Sequence, residues 1–594
     1  MAAPSPRGRA RYAVVPTPSG APSLSYRDDH GRGYLLMNAQ NPVREMDGWL
    51  SGPNMDGLSG RQVALLGFGL GYHPIVFLAK SGRETRLLCI EKDLDLLALA
   101  CHYVDLSPLW DNPRFQIAVM ADPSHQYPAL AALLHPPTVM ANGFSALIFP
   151  PFGKLFPDYV ARMKRELDLA HLLVGSNRCT RAFEARAQGL NTLANAPALL
   201  GSPGVARLFG RFSDLPAVVV AAGPSLRKNM HLLGDYRDRV VIIAVDTAYR
   251  ILAREGIHAD LVVALDFTEL NYKHFDGLVP SPQAFLVVEP QVDPRIPPVF
   301  PTQRFFFRAG ANEELGRYPN GVGGWLMQAT EDKGFLTGIS TTSISCLHLG
   351  MKLGCKPIAL VGQDLAFTGG RQYAPGAMQE EAGLTAQRAP ATRRVPAVGG
   401  GEVETSHLFY FFKANLEGFI REHGVEIVNA TEGGARIEGT REEPLGRFLS
   451  QHAAQTPAGI YERLCALHHG PPAGDASGVG RRMAAMADEV EAMARLAREG
   501  HARVYAAADF ATEGRRVADA LFSRAQALTL AVPLLGLALD RFHDQDLEVA
   551  RCSDAEERLA LNRRRYLDLL SGIEAGAVEM AAAMRAAAGK ITSS

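Results

Sequence analysis

Val218-Val219-Val220-Ala221-Ala222-Gly223-Pro224-Ser225-Leu226 is an all-apolar run that stops at a glycine, a proline and a hydroxyl. An unbroken stretch of valine and alanine without polar alternation reads as a strand buried on both faces, as in a parallel sheet. Three later runs stop in a similar way, at Asp246-Thr247, at Leu265-Asp266 and at Gly362-Gln363-Asp364-Leu365. In an open parallel sheet such stops fall together at the carboxyl ends of the strands, where these folds bind ligands. The chain therefore reads as an enzyme built around a nucleotide-type pocket in its middle.

Outward from that strand, apolar runs at 218–222, 240–245, 261–265, 285–288, 304–307, 357–361 and 425–428 alternate with helix-sized segments. That alternation is the pattern of a doubly wound α/β domain, spanning 212–450. Within it, Phe367 to Val403 is rich in Gly, Pro and Ala, long enough to be a lid or binding loop. Upstream, residues 1–150 read as a smaller Rossmann-like domain with a Pro/Gly-rich lead-in. Its strand Val63–Leu66, its turn Gly67-x-Gly69-x-Gly71, a helix from Tyr72 to Lys80 and the strand Leu87–Glu91 make a βαβ unit. Residues 151–211 read as a helical connector containing Asn191 and Asn195 one turn apart. Residues 451–594 read as a C-terminal helical domain, with a bundle of four or five helices following the Gly470-Pro471-Pro472-Ala473-Gly474 linker. Met483, Met486, Val490, Met493 and Leu496 recur there at helical spacing, as do Leu559, Leu561, Tyr566, Leu569 and Leu570.

Composition removes several function classes. The 594 residues carry a net charge of −1, with 47% apolar and 21% charged residues. Such a balance speaks against a dominant nucleic-acid or anionic-membrane surface. Seven cysteines without a CxxC point to reduced thiols in a cytoplasmic protein. Arg7, Arg9 and Arg11 precede no apolar core, so no secretory signal is expected. The longest uncharged apolar segment, Ala525 to Leu539, contains Pro533 and is short for a membrane span, so no membrane insertion is expected. No HExxH or HxxxH metal pair, GxxxxGK[ST] loop or GxSxG elbow in strand–turn–helix context occurs, which disfavours P-loop and serine-hydrolase chemistry.

Each motif carries chemistry that its setting makes concrete. Gly67-x-Gly69-x-Gly71 with Glu91 resembles a dinucleotide- or S-adenosylmethionine-type fingerprint, in which the acid would serve ribose hydroxyls; the weightier alternative is a domain that keeps the fold and binds nothing. Gly223 lets a ligand approach, Ser225 brings a hydroxyl, and the next helix offers unpaired N–H groups to an anion; the alternative is a plain helix cap. Asp246-Thr247 and Asp266 place acids at consecutive strand ends, suited to ribose, a metal or acid–base work. Thr337-Gly338-Ile339-Ser340-Thr341-Thr342-Ser343 sets small and hydroxyl residues before a helix, a cradle for phosphate or carboxylate. His348 lies on an apolar helix and reads as a core histidine.

Together, Ala222–Leu226, Asp260–Asp266, Gly338–Thr341, Val361–Thr368, Asn429–Ile437 and Gly439-Thr440 resemble the motility accessory factor (Maf) family of bacterial flagellin glycosyltransferases. The resemblance is close over the central domain and looser over the flanking ones. It implies a sialyltransferase-like central fold, a CMP-activated nonulosonic acid (pseudaminic or legionaminic type) as donor, and flagellin Ser or Thr as acceptor. No cofactor or metal is required on that reading. Gly223, Pro224, Ser225, Leu226, Asp246, Thr247, Gly338, Ser340, Thr341, Gly362 and Gln363 would hold the donor, and Asp246 or Asp266 would contact its ribose or help orient the acceptor. Asp266, Asp364 and Glu289 would be the catalytic carboxylates, Asp364 or Glu289 taking the acceptor's proton. Tyr373 would sit on the lid.

The same strand ends also resemble archaeal 6-hydroxymethylpterin diphosphokinases, which would transfer diphosphate from ATP with Mg2+ on Asp246 and Asp266. A third reading is a flagellin-binding, chaperone-like protein without catalysis.

Overall fold

The computed structural model describes residues 11–123, 126–134, 138–139, 143–179, 184–310, 321–338, 341–381, 393–454, 459–470 and 474–593. Two compact units are present, Met1–Thr180 and Arg181–Ser594.

In the first unit, β1 (Tyr12–Val15), β2 (Ser23–Arg27) and β3 (Gly33–Leu35) form an antiparallel meander. A parallel sheet comes next, built from β4 (Gln62–Leu66), β5 (Arg86–Glu91), β6 (Phe115–Val119) and β7 (Phe144–Ile148) in the order β6-β5-β4-β7. All five residues of β4 are buried, as their unbroken apolar run predicts.

The glycine turn after β4 exists, but it is filled by the protein itself. A Cβ on Gly67 would lie 2.7 Å from the Phe152 ring, and one on Gly69 2.5 Å from Met37 Cε. Glu91 is buried, with Oε2 accepting from Phe68 N at 2.7 Å and Oε1 from Lys92 N and Asp93 N at 2.7 and 3.0 Å. The void beside Gly69 and Glu91 measures about 10 Å³, no more than one water needs and far short of a small-molecule site. Of the two readings of this turn, the structure supports the fold kept without a ligand: the Glu91 carboxylate braces the turn. The glycines are required because Phe152, Met37 and Leu106 pack directly against them.

The second unit centres on eight parallel strands. They are β8 (Ala217–Val220), β9 (Val241–Val245), β10 (Leu261–Ala264), β11 (Phe285–Val288), β12 (Arg304–Phe306), β15 (Ile358–Val361), β18 (Ile427–Asn429) and β19 (Thr440–Glu442), in the order β12-β11-β10-β9-β8-β15-β18-β19. The two short strands β13 (Arg308–Gly310) and β14 (Phe335–Thr337) pair in parallel, and β16 (Arg393–Pro396) and β17 (Glu402–Thr405) form a hairpin inside the long loop. The chain walks outward from β8 to β12, then returns to lay β15 on the other side of β8. The sheet's topological switch point therefore lies between β8 and β15.

Seven of these strands match the apolar runs, with ends displaced by at most two residues. The eighth, β19, is polar and exposed, so periodicity alone could not find it. Helix Thr342–Leu353 packs on β8, β9, β10 and β15. His348 is part of that core. Its Nδ1 accepts from Thr337 N at 2.9 Å, and burial lowers its pKa to about 3.

The helical connector divides: helix Pro157–Cys179 lies in the first unit and helix Ala185–Leu200 in the second. Helix Ala185–Leu200 packs on helices Val322–Gln328, Ala525–Arg551 and Ala555–Ser593. One apolar core runs unbroken from Leu193 through the sheet to Ile591. Central sheet and C-terminal helices thus share a core, and the 450/451 boundary separates no compact bodies. Met483, Val490, Met493, Leu569 and Leu570 are buried as their spacing predicts, whereas Leu559 is 59% exposed. Among the described residues, no helix is long and apolar enough to cross a membrane.

Candidate active-site crevice at the switch of the sheet

The turn after β8 meets the turn after β15 at very short range. A Cβ on Gly223 would stand 2.1 Å from Asp364 Oδ1 and 2.4 Å from Gly362 O. Position 223 therefore admits no side chain. Asp364 is buried, and its Oδ1 accepts from Ser225 Oγ at 2.5 Å. Ser225 N also points at this carboxylate, 3.3 Å from Oδ1 and 3.2 Å from Oδ2. Burial raises the Asp364 pKa, and the Ser225 hydroxyl bond opposes the rise. The Asn429–Ile437 segment closes over the same group. Gly434 has φ +78°, and a Cβ there would lie 2.3 Å from Asp364 O, which itself accepts from Ala435 N at 2.7 Å.

This geometry redistributes the expected roles. Ser225 spends its hydroxyl on Asp364, so the pair holds the turn in shape and offers neither group freely to a ligand. Leu226 is fully buried and belongs to the core. Gly223 and Pro224 are half-buried at the end of β8. Gln363 N donates to Thr431 Oγ1 at 3.1 Å, while Gln363 Oε1 is buried with no hydrogen-bond partner among the described residues. An orphan acceptor at a switch point is a place where a ligand donor would recover a lost hydrogen bond. Gly362 has φ +67° and packs against Ala221 O, so it shapes the turn from below.

The next two strand ends carry the acids. Asp246 opens helix Asp246–Arg254 and is buried, with Oδ1 accepting from Thr247 N at 2.7 Å and Thr247 Oγ1 at 3.2 Å. Burial pushes its pKa up to about 7; the Thr247 N–H opposes this and the nearby Asp266 charge adds to it. Asp266 is exposed, and its Oδ1 accepts from Thr268 N at 2.8 Å. One carboxylate is thus buried and the other open to solvent.

Residues not singled out by the sequence complete this wall. His274 is buried, with Nε2 3.4 Å from both Thr247 Oγ1 and Gln379 Nε2 and with Nδ1 unpartnered among the described residues. Burial, then the Arg250 charge, lowers its pKa to about 4, so the imidazole is neutral at pH 7. Asn271 Nδ2 donates to Asp266 O at 2.8 Å. No periodic signal marks Asn271 or His274; their only cue is that they lie shortly after a strand end. Burial raises the pKa of the Tyr373 phenol on the long loop, and the nearby Asp246 charge adds to the rise. That loop is anchored by Ala374 N donating to Ala222 O at 2.8 Å and by Arg227 donating to Pro375 O; its stretch 382–392 lies outside the described residues.

The loops bearing Asp266 and Glu289 are fixed from helix Ala185–Leu200. Asn191 Nδ2 donates to Phe267 O and Gln291 O, both at 3.0 Å, and Asn195 Nδ2 to Pro290 O and Val292 O at 2.8 and 2.9 Å. The one-turn spacing of the two asparagines is thereby explained: one helix face clamps two strand-end loops. Glu289 itself stands three strands from β8, about 14 Å at ordinary strand spacing. It does not share a site with Asp364.

Gly338 N donates to Gly310 O at 3.0 Å, and Thr341 caps helix Thr342–Leu353, its side chain facing Ser343 N at 3.4 Å. Gly350, near the end of this helix, packs against Ile358 and Ala217 at the starts of β15 and β8, so the amino terminus lies toward the carboxyl ends of the strands. Ser340 lies outside the described residues.

Asp246 yields a stability prediction. Its folded-state pKa of about 7 exceeds the ordinary 3.8, so the folded state binds the proton more tightly than the unfolded one. Stability therefore falls as pH climbs from about 4 to about 7 and stays at the lower level above. The Asp246→Asn variant lacks this loss. Its thermal-denaturation midpoint relative to the native protein is expected to rise across that window and then level off, with an upper bound on the order of 4 kcal/mol.

Residues 190–370 match the family described as 6-hydroxymethylpterin diphosphokinase MptE-like. A solved structure described as a MAf glycosyltransferase from Magnetospirillum magneticum AMB-1 is similar to this chain with a TM-score of 0.58 and 15% identity. The similarity covers 99% of this chain and 96% of that one. At such identity the likeness establishes a shared fold across the whole length. No curated protein matches the sequence significantly.

Proposed function

We propose that this protein is a glycosyltransferase that moves a nonulosonic acid from a CMP-activated donor to a Ser or Thr hydroxyl of flagellin. The observation that carries this reading is the convergence at the β8/β15 switch point. A glycine turn braced by Ser225 and Asp364 is joined, at the next two strand ends, by Asp246 and Asp266. The whole-length fold likeness to a Maf-type enzyme supports it.

On this reading Gly223 and Pro224 let the nucleotide lie against backbone. The amino terminus of helix Thr342–Leu353, with Thr341, faces the phosphate. Asp246 and Thr247 serve the ribose, and Gln363 Oε1 takes a donor from the base or sugar. Asp266 is the carboxylate exposed enough to meet an acceptor. The acceptor oxygen attacks the anomeric carbon, the bond from that carbon to the phosphate oxygen breaks, CMP departs with the electron pair, and the hydroxyl proton passes to Asp266. Asp364 and Ser225 act through the turn they hold.

The MptE-like match over residues 190–370 favours one second reading, diphosphate transfer from ATP to a pterin alcohol with Mg2+ between Asp246 and Asp266. Calorimetry separates the two. CMP is expected to bind, and Asp266→Ala to retain CMP while losing transfer in cells that co-express flagellin and the donor pathway, read by intact flagellin mass. Magnesium-dependent ATP binding with pterin turnover and no response to CMP would replace the first reading by the second. Flagellin binding without any nucleotide would favour a non-catalytic partner role.

A further inference from the structure

Two acids at neighbouring strand ends are held in the same way. Asp266 follows β10 and Glu289 follows β11, strands that pair in parallel. Asp266 Oδ1 accepts from Thr268 N at 2.8 Å, and Glu289 Oε2 accepts from Gln291 N at 2.7 Å. Each of those N–H groups belongs to a peptide unit whose carbonyl is bound from helix Ala185–Leu200. The Phe267 carbonyl, in one unit with Thr268 N–H, accepts from Asn191 Nδ2 at 3.0 Å. The Pro290 carbonyl, in one unit with Gln291 N–H, accepts from Asn195 Nδ2 at 2.8 Å. We propose that Asn191 is a positioning residue for the Asp266 carboxylate, acting through the peptide unit between Phe267 and Thr268.

The physical basis is the rigidity of the amide. A trans peptide is planar and points its carbonyl and its N–H in opposite directions, so fixing one fixes the other. A hydrogen bond accepted by the carbonyl also polarises the unit and strengthens the bond that its N–H donates. Asp266 is exposed, so little packing restrains its side chain, and the Thr268 N–H selects its orientation. The preceding peptide unit is fixed as well, since Asn271 Nδ2 donates to Asp266 O at 2.8 Å.

Asparagine suits position 191 because its NH2 group carries two donors. Asn191 spends both, on Phe267 O and Gln291 O at 3.0 Å each, which ties the loop after β10 to the loop after β11. Leucine has the same reach without a donor. The helix bearing Asn191 is seated in turn on the C-terminal helices. A Cβ on Gly189 would lie 2.8 Å from Pro533 Cβ, and Arg186 Nε donates to Glu579 Oε2 at 2.9 Å. The donor is thus presented from a packed helix. Its effect on catalysis rests on the reading of Asp266 as the carboxylate that takes the acceptor proton; the positioning itself does not.

Amide hydrogen exchange of the full chain, resolved to single residues, tests the positioning without substrate. Asn191→Leu is expected to speed exchange at Thr268 by about threefold to tenfold, the support of one hydrogen bond, and to leave Gln291 native. Asn195→Leu is expected to do the reverse. A general loosening of the helix would instead move both amides together in both variants.

Transfer from CMP-pseudaminic or CMP-legionaminic acid to purified flagellin tests the consequence. For Asn191→Leu, kcat is expected to fall about tenfold to a hundredfold while the donor KM stays within about threefold of native, because a misplaced carboxylate slows the chemical step and not donor binding. Asn191→Gln keeps two donors on a longer arm and is expected to recover part of both effects. If Asn191→Leu fails to fold, Asn191→Ala takes its place, since alanine suits a helix at this half-buried position. Native exchange at Thr268 in a folded variant, equal acceleration at Gln291, or native kcat in Asn191→Leu where Asp266→Ala abolishes transfer would overturn the proposal. Full transfer by Asp266→Ala, with Thr268 exchange altered as expected, would remove the proton-accepting role of Asp266 and leave its positioning by Asn191 standing.

Discussion

Gly223→Ala is expected to destabilise the protein by about 3 kcal/mol or more and to abolish nucleotide binding at the switch-point crevice. The added methyl would stand 2.1 Å from Asp364 Oδ1 and 2.4 Å from Gly362 O. A carboxylate can swing aside, but the carbonyl belongs to the backbone of the facing turn. That backbone is tied in place, since Gly223 N donates to the same Gly362 O at 2.7 Å. Relief therefore requires the β8 and β15 turns to part, which breaks the Ser225–Asp364 bonds as well. Gly234→Ala is the control, because a Cβ there meets nothing within 4 Å. Urea denaturation and CMP titration of the two variants give the comparison; native stability in Gly223→Ala would show that the turns are not locked together as described.

Asp364→Ala is expected to cost about 3–5 kcal/mol. Hydrogen bonds to a charged acceptor contribute about 1.5–3 kcal/mol, and their loss here leaves the Ser225 N–H and O–H buried without an acceptor. Asp364→Asn separates positioning from proton transfer. The amide oxygen still accepts from one Ser225 donor, but its NH2 faces the other, so an intermediate loss of stability and a weakened CMP affinity are expected together. A catalytic base would behave otherwise, with stability and CMP binding native and only the transfer rate falling. That second outcome would return Asp364 to the role the sequence suggests for it.

The legible part of this molecule derives from burial. The strands of the central sheet announce themselves because both of their faces are covered, so their apolar runs have no interruptions. Their polar stops mark the carboxyl-end rim by the same logic. The edge strand Thr440–Glu442 was hidden because exposure removes that constraint. The helices after 460 were legible as helices, yet not as part of the same core, because an apolar stripe names a buried face without naming what covers it.

Motif reading has the same limit at the level of sites. Gly67-x-Gly69-x-Gly71 and Gly223-Pro224-Ser225 are both glycine turns at the ends of buried strands, and either could be a ligand turn or a purely structural one from sequence alone. In three dimensions the first is filled by Phe152 and Met37, and the second is braced by Asp364. A glycine reports that something comes close; only the packed structure says whether that is a ligand or the protein's own side chain.

The sequence by itself determined the parallel sheet, its strand ends and the class of residue standing at them. Those properties are local, set by side chains that must be buried or must cap the adjoining helix. Only the tertiary structure decided which acids share a site. Asp364, Asp246 and Asp266 rank alike as strand-end carboxylates, and Glu289 ranks with them. Strand order then places Glu289 three strands from the switch point, buries Asp364 against Ser225, and leaves Asp266 open to solvent. Strand order is a long-range property, fixed by which apolar faces pack together, and no local stretch of residues encodes it.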